Sequence, residues 1–169
     1  MTITPNFHID LIVDDDQWAK EDFTTVIKEA VWQTLNNLSF GHKVELSIML
    51  CNDSKVRRLN SDFRGQDKPT NVLSFPQLEL KELEILKNKP YINEKFPIML
   101  GDIAIAYETT LNEAKEQQKP FKNHVIHLCI HGLLHLLGYD HIEDDEAEEM
   151  EGLEVKILNE FKIKNPYAR

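Results

Sequence analysis

Three histidines in the last third of the chain have the residue type and the spacing of metal ligands. His131 and His135 are four residues apart in an apolar run, so a helix places both imidazoles on one face, one turn apart. Gly138 follows three residues later, where glycine can adopt a left-handed conformation and end the helix. The chain can then turn back and bring His141 to the same point. The sequence HGLLHLLGYDH therefore predicts a metal site formed by His131, His135 and His141.

The ligand types indicate which metal is bound and what kind of site this is. Structural zinc sites are normally closed by four protein ligands, whereas catalytic sites have three and leave one position open. Three histidines therefore predict one catalytic Zn²⁺ per chain, although nickel, copper and iron also accept imidazole ligands. A packing role is the alternative for a histidine pair four residues apart, and the glycine and the third histidine argue against it.

Two further histidines precede the triad. His127, His131 and His135 form a stripe at intervals of four residues. Because a helix rises ~1.5 Å per residue, the outer two lie ~12 Å apart, and one ion cannot bind all three at ~2.1 Å. We therefore interpret His127 and His124 as histidines that support the ligands, pack in the core or lie at the surface.

An open three-histidine zinc site favours hydrolysis, because the metal lowers the pKa of bound water and polarises a carbonyl or phosphoryl oxygen. Zinc peptidases of the HExxH type have a glutamate directly after the first histidine, where it acts as general base. Gly132 occupies that position here, which argues against peptide hydrolysis. A zinc peptidase would need a displaced base, such as Asp67 or Asp102.

A cluster of basic residues lies within a stretch of twelve residues: Arg57, Arg58, Arg64 and Lys68. A guanidinium forms paired hydrogen bonds with phosphate oxygens, and a cation near the metal can stabilise the charge that develops in phosphoryl transfer. Arg64 lies next to a glycine at the start of a loop, whereas Arg57 is interpreted as part of a solvated helix face. We predict catalytic roles for Arg64 and His131, and substrate binding by Arg64 and Lys68.

The composition predicts one globular domain over residues 1–169, with 41% hydrophobic residues. No apolar run approaches the ~20 residues that span a membrane, and no secretory signal is recognisable, so the expected location is the cytoplasm. Cys51 and Cys129 are too few for a disulfide framework. The net charge of −10 argues against a general nucleic-acid coat protein, since phosphate binding depends on Lys and Arg. Seven carboxylates in 143–151 are typical of a helix start.

Hydrophobic periodicity predicts an α+β fold with a mixed four-stranded sheet and about five helices. The predicted strands are 7–13, 43–51, 71–75 and 99–106. The predicted helices are 18–38, 53–63, 108–118, a histidine helix from about 123, and 144–162. Residues 77–97 are rich in charge and bounded by prolines. We interpret them as a mobile surface insertion, either a short helix or an irregular excursion.

Three sequence blocks resemble the YbeY family of bacterial rRNA-maturation endoribonucleases. They are FRGQDKPTNVLSFP (63–76), LGDIAI (100–105) and HGLLHLLGYDH, in the family's order, and HIEDDEAEEM (141–150) also fits. The resemblance implies a single-strand-specific, metal-dependent endoribonuclease of 16S rRNA 3′-end processing and of small-subunit quality control. It implies zinc at the three histidines, a functional Arg64 in the cleft, and a fold similar to that of zinc peptidases around the metal helix.

The resemblance also implies partners, namely single-stranded RNA, rRNA and the small ribosomal subunit. The acidic charge predicts weak, salt-sensitive RNA binding and an encounter helped by a ribosomal protein or an assembly GTPase. The nucleophile stays open between metal-bound water and the RNA 2′-OH, and Asp140 is a candidate for orienting a ligand imidazole. The alternatives are the zinc peptidase and a non-enzymatic ribosome assembly factor in which the metal only stabilises the fold.

Overall fold

The fold was analysed in a computed structural model that describes residues 4–89 and 95–168. A short 3-10 helix at Asp16–Lys20 accompanies four strands and six α-helices in the described part of the chain. In chain order these are β1 (Phe7–Val13), α1 (Thr24–Asn37), β2 (Val44–Cys51), α2 (Asp53–Arg64), β3 (Val72–Pro76), α3 (Leu80–Asn88), β4 (Ile98–Ala106), α4 (Tyr107–Glu116), α5 (Phe121–Leu136) and α6 (Asp144–Asn159).

The four strands form one sheet in the order β1-β2-β4-β3. β1, β2 and β4 are parallel, and β3 pairs with β4 in the antiparallel direction. This confirms the predicted α+β class and the mixed four-stranded sheet. β3 lies at one edge of the sheet, so among the described residues one side of its backbone is not paired with another strand.

α5 is the central helix of the molecule. It contacts β3 and β4 on one side and α1, α4 and α6 on the others. Its sequence is apolar almost all round, which is the pattern of a helix buried in a core rather than one lying at the surface. Because the metal ligands predicted at His131 and His135 lie on this helix, the core fixes their positions.

The predicted helix over 18–38 is wrong at its N-terminal end. Trp18 lies in the 3-10 helix, and α1 begins only at Thr24. The indole N–H of Trp18 donates to the carbonyl oxygen of Cys51 at 2.7 Å, and its ring stacks on Phe121. These tertiary contacts hold Trp18 in the core, where a continuous helix from residue 18 would not place it.

Among the described residues there are six α-helices, one more than the five predicted. The additional helix is α3, which forms within the segment 77–97. It begins with a capping box between Glu79 and Glu82, and Leu83 is buried in the main core. The short-helix interpretation therefore holds for Leu80–Asn88. Residues 90–94 lie outside the described residues, and the mobility of 77–97 stays a prediction.

None of the helices in the described ranges is both long and apolar enough to cross a membrane. The cytoplasmic location stays a prediction, and so does the likeness of the topology to zinc peptidases.

Candidate active site

α5 and the turn after it bring the three predicted ligands together. His131, His135 and His141 each contribute one nitrogen, and these nitrogens lie within 4.8 Å of one another. His131 and His135 are partly buried, whereas His141 is exposed. The arrangement forms a cluster open to solvent on one side.

The turn that positions His141 depends on Gly138. Its φ is +94°, and its N–H donates to the carbonyl oxygen of His135 at 3.0 Å. The N–H of Tyr139 donates to the carbonyl oxygen of Leu134, also at 3.0 Å, which completes the helix end. The glycine therefore ends α5 as the sequence predicts.

The hydrogen bonds of the Nδ1 atoms of His131 and His135 indicate the tautomers of both rings. His135 Nδ1–H donates to the carbonyl oxygen of Tyr139 at 3.0 Å, and His131 Nδ1–H donates to the carboxylate of Glu154. Since Nδ1 carries the proton in each neutral ring, both Nε2 atoms present lone pairs. These two Nε2 atoms lie 3.1 Å apart. Two ligands of tetrahedral zinc with bonds of ~2.1 Å would be ~3.4 Å apart, so the donor set fits such an ion.

The electrostatics keep His135 neutral. Burial lowers its pKa, and the neighbouring His131 and His141 lower it further, to about 4. Near neutral pH the ring therefore has its lone pair available, and a metal ion does not have to displace a proton from it.

Glu154 is a buried carboxylate beneath the triad that the sequence prediction missed. Its side chain, which is 0% exposed, accepts hydrogen bonds from His131 Nδ1–H, from His127 Nε2–H and from the hydroxyl of Tyr167. Burial alone would raise its pKa, but the hydrogen bonds from His127 and His131 outweigh this and lower the pKa to about 2. Glu154 is thus an anion that holds the tautomer and orientation of His131.

The sequence contains one signal for Glu154. On α6 it lies four residues after Met150 and four before Leu158, both buried, so it is a carboxylate on the apolar face of an acidic helix. Its partner His131 is 23 residues away, and only the packing of α6 against α5 shows the contact.

His127 and His124 are both buried and each contacts a carboxylate, so of the three interpretations made from the sequence a surface position does not apply. His127 contacts Glu154 at 3.4 Å, and burial lowers its pKa although Glu154 opposes the shift. His124 contacts Glu113 at 3.3 Å, and the side-chain amide of Asn71 donates to both oxygens of Glu113. Within the described ranges, the triad is the one group of histidines, cysteines and carboxylates close enough to share a metal ion.

A cleft of about 970 Å³ is lined by the triad, by Arg64 and by residues of β3. Arg64 Nη2–H donates to the carbonyl oxygen of Ser74 at 2.8 Å. No carboxylate in the described part of the chain forms an ion pair with Arg64, so its remaining N–H donors can bind an anion. The structure therefore brings Arg64 and the three histidines to one cleft.

Lys68 and Arg57 lie elsewhere. Lys68 is exposed and is not among the described residues that line the cleft. Arg57 forms an exposed ion pair with Asp67, with Nε 2.8 Å from Oδ1, which agrees with a solvated helix face. The predicted substrate-binding role of Lys68 stays a prediction.

The candidate general bases of a peptidase do not face this cleft. Asp67 is paired with Arg57, and Asp102 accepts a hydrogen bond from the hydroxyl of Ser47 on the neighbouring strand. Neither carboxylate is among the described residues that line the cleft.

A side chain at Gly132 would be tightly packed against the sheet. A Cβ atom there would lie 3.1 Å from Ile103 and 3.2 Å from the hydroxyl of Ser74, because α5 packs closely on the sheet at this point. The role of Asp140 in orienting a ligand imidazole stays a prediction. Its carboxylate accepts from the backbone N–H of His141 at 2.8 Å, and the carbonyl of Tyr139 orients His135.

Comparison with known proteins places this site in a family. Residues 9–162 match the sequence model of a family described as endoribonuclease YbeY. The chain belongs to this family. A relative named endoribonuclease YbeY from Bradyrhizobium diazoefficiens is 47% identical over 161 residues, which cover 94% of this chain and 84% of the relative. Another of that name, from Sinorhizobium medicae, is 44% identical over 170 residues and covers 95% and 94%. The resemblance found in the sequence is confirmed.

A solved structure supports the fold. The solution structure of a Thermotoga maritima protein matches 96% of this chain and 100% of its own length, with a TM-score of 0.56 and 24% identity. At this identity the match concerns the fold alone. It agrees with the open mixed sheet described above.

Proposed function

We propose that this protein is a zinc-dependent endoribonuclease that cleaves single-stranded RNA. One observation carries the proposal: three imidazole nitrogens converge in a cleft, and Arg64, without a carboxylate partner in the described part of the chain, lines the same cleft. The relatives' printed name, endoribonuclease YbeY, supports the same reaction.

Each residue has a distinct role in this proposal. His131, His135 and His141 hold Zn²⁺, which supplies a Lewis acid for phosphodiester cleavage when bound. Glu154 fixes the ring of His131, and the Tyr139 carbonyl fixes that of His135.

Arg64 is proposed to bind the scissile phosphate. It stabilises the negative charge that develops around phosphorus in the transition state. Its hydrogen bond to the carbonyl oxygen of Ser74 holds the guanidinium at the edge of β3, so little side-chain freedom is lost when RNA binds. Lys68, on the loop after α2, is proposed to contact RNA outside the cleft.

The proposed biological role is rRNA maturation, namely 16S rRNA 3′-end processing and quality control of the small ribosomal subunit. A chain with a net charge of −10 does not attract RNA strongly by itself. A ribosomal protein or an assembly GTPase is therefore proposed to deliver the substrate.

The two other functions predicted from the sequence make different demands on the structure. A peptidase needs a general base, and neither Asp67 nor Asp102 faces the cleft. A purely structural metal site requires no arginine in the same cleft as the metal ligands. These observations favour the nuclease.

The test compares two RNAs of one sequence, single-stranded and annealed to its complement, incubated with zinc-loaded protein and with chelator-treated protein. We expect cleavage of the single strand only, and only with metal. The 3′ ends of the products identify the nucleophile, since attack by the 2′-OH gives a 2′,3′-cyclic phosphate and attack by water does not. Metal-dependent digestion of casein with no cleavage of either RNA would show a peptidase instead.

A further inference from the structure

Phe63 is an aromatic residue that the core leaves uncovered, directly before Arg64 on the last turn of α2. Its side chain is 70% exposed. Its ring centroid lies 5.5 Å from that of Phe75, and the guanidinium carbon of Arg64 lies 5.9 Å from the same Phe75 ring. Two aromatic rings and the proposed phosphate-binding cation therefore form one contiguous group, of which Arg64 lines the cleft.

The group lies where β3 forms the edge of the sheet. The hydroxyl of Ser74 donates to the Gly132 carbonyl and so points toward α5, which places the next side chain, Phe75, on the opposite face. α2 packs on that opposite face. Arg64 extends from α2 to the β3 edge, where it bonds the Ser74 carbonyl and lines the cleft. Arg64 therefore contacts both the cleft and the Phe75 ring, which in turn contacts Phe63.

Core packing does not account for the exposure of Phe63. Val56, two turns before Phe63 on α2, is completely buried. Phe75 is partly buried against the same small cluster. Phe63 extends this apolar face beyond the core, and most of its surface is left in water, so its own burial stabilises the fold little. Its chain neighbours, Asp62 and Arg64, are charged, so it is a single exposed ring and not part of a broad apolar patch that would fit a partner protein.

Proteins that bind single-stranded nucleic acid combine cations that follow the backbone with aromatic rings on which bases stack. We propose that Phe63, supported by Phe75, is a stacking platform for a nucleobase of the RNA strand, close to the nucleotide whose phosphate Arg64 binds. This inference rests on the proposed function. It gives a physical reason for selecting single strands, because the bases of a duplex are already stacked and paired and cannot turn onto the ring.

The test pairs protein variants with RNA variants. A single-stranded RNA is prepared intact and as a series in which one nucleotide at a time lacks its base, and kcat and KM are measured for each. Wild-type protein is compared with Phe63→Leu, which keeps an apolar side chain without a π-system, and with Phe63→Tyr. Phe96→Leu is the control, since Phe96 is 73% exposed like Phe63, but its ring contact is with Lys95 and not with Phe75 or Arg64.

We expect one position at which loss of the base raises the wild-type KM about fivefold or more, with kcat changed little. Phe63→Leu should raise the KM for intact RNA by a similar factor and lose the sensitivity at that position. Phe63→Tyr and Phe96→Leu should behave as wild type.

Two results would overturn the inference in distinguishable ways. A Phe63→Leu protein with the wild-type KM and the wild-type response to base removal would exclude the platform and leave the nuclease intact. A wild-type protein that cuts no RNA in the series would overturn the proposed function, and the platform with it. Because Phe63 is mostly exposed, its substitutions are expected to fold, and circular dichroism melting curves confirm this for each variant.

Discussion

At the scale of single residues, the metal site depends on groups that do not touch the metal position. Glu154 is fully buried and bonded to His131, His127 and Tyr167. A carboxylate in this position fixes which nitrogen of His131 carries the proton and makes the other nitrogen a better donor to a metal. Removing its charge should therefore weaken metal binding without removing a ligand.

We predict that Glu154→Gln lowers zinc affinity about ten- to hundredfold. Affinity is measured by competition with a chromogenic chelator. Glu148→Gln is the matched control, because Glu148 lies exposed on the same helix and should change nothing. Equal affinity in both variants and in the wild type would show that Glu154 has only a packing role.

Separation along the chain explains which site residues could be predicted from the sequence. The predicted residues are close to their partners in the chain, and the missed ones are far from theirs. The triad spans eleven residues, so helix geometry and one glycine were enough to predict it. Glu154 and Tyr167 reach His131 and His127 only after α6 and the C-terminal residues pack against α5, and no local spacing reports such contacts. Arg64 was predicted from its residue type and its loop, and the fold brings it to the cleft.

At the scale of elements, the turn between α5 and α6 places His141 next to the two histidines of α5. Gly138 has φ of +94°, which side chains rarely adopt, and a Cβ atom there would meet Leu83 at 3.1 Å. α3, which carries Leu83, therefore packs against the turn that positions His141. The predicted surface insertion thus contributes one buried side chain next to the metal turn.

We predict that Gly138→Ala destabilises the protein by about 1–3 kcal/mol and weakens metal binding, because the strained turn displaces His141. Gly152→Ala is the control. Gly152 lies inside α6 with open space around a Cβ atom, so alanine should stabilise this helix by about 0.5–1 kcal/mol. Chemical unfolding curves of both variants measure the difference. A Gly138→Ala protein as stable as the wild type would contradict the proposed role of the turn.

The buried histidines of α5 and Glu154 of α6 should also make the metal-free protein sensitive to acid. The pKa of His135 is lowered to about 4 in the fold, from an ordinary value of 6.5, and burial lowers that of His127. The pKa of Glu154 is lowered to about 2, from 4.5. Below pH 6.5 the unfolded chain therefore binds more protons than the folded one, and stability falls as the pH falls.

We predict that the free energy of unfolding, measured with urea in the presence of chelator, decreases from pH 6.5 toward pH 4 through the histidines. Below pH 4.5 the free energy of unfolding decreases further, because Glu154 is then protonated in the unfolded chain but still ionised in the folded one. His135→Ala should lose part of the decrease between pH 6.5 and 4. A free energy of unfolding that is constant over this range would contradict the buried, neutral state of these histidines.

The arrangement of the strands shows the limit of sequence prediction at this scale. All four strands were predicted close to their observed bounds, because alternating and apolar runs are local signals. Their order was not predicted. β3 lies at the edge because it pairs only with β4, in the antiparallel direction, and this contact joins segments about 30 residues apart. The edge position matters for function, because β3 lines the cleft together with Arg64.

At the scale of the whole molecule, the negative net charge of the protein opposes the binding of RNA at a cleft that contains an arginine. The net charge is −10, yet the wall of the cleft carries Arg64, and the nearby α2 and its following loop add Arg58 and Lys68. A few phosphate contacts on an acidic protein give weak binding that salt weakens further.

We predict that single-stranded RNA binds the metal-free protein with an affinity that falls about tenfold between 50 and 200 mM salt, as expected for two or three phosphate contacts. Fluorescence anisotropy with labelled RNA measures this. Arg64→Ala should reduce the salt dependence, and Arg57→Ala, whose ion pair with Asp67 lies outside the cleft, should not. Tight binding at high salt would contradict the prediction.

The most direct test of the account is cleavage of a single-stranded RNA by zinc-loaded wild-type protein beside His135→Ala and Arg64→Ala. We expect the wild type to cut, His135→Ala to lose zinc and activity, and Arg64→Ala to retain zinc while its kcat/KM falls about hundredfold or more. Arg57→Ala serves as the control with full activity. If the folded variants cut RNA as fast as the wild type, the histidine triad and Arg64 do not form the active site.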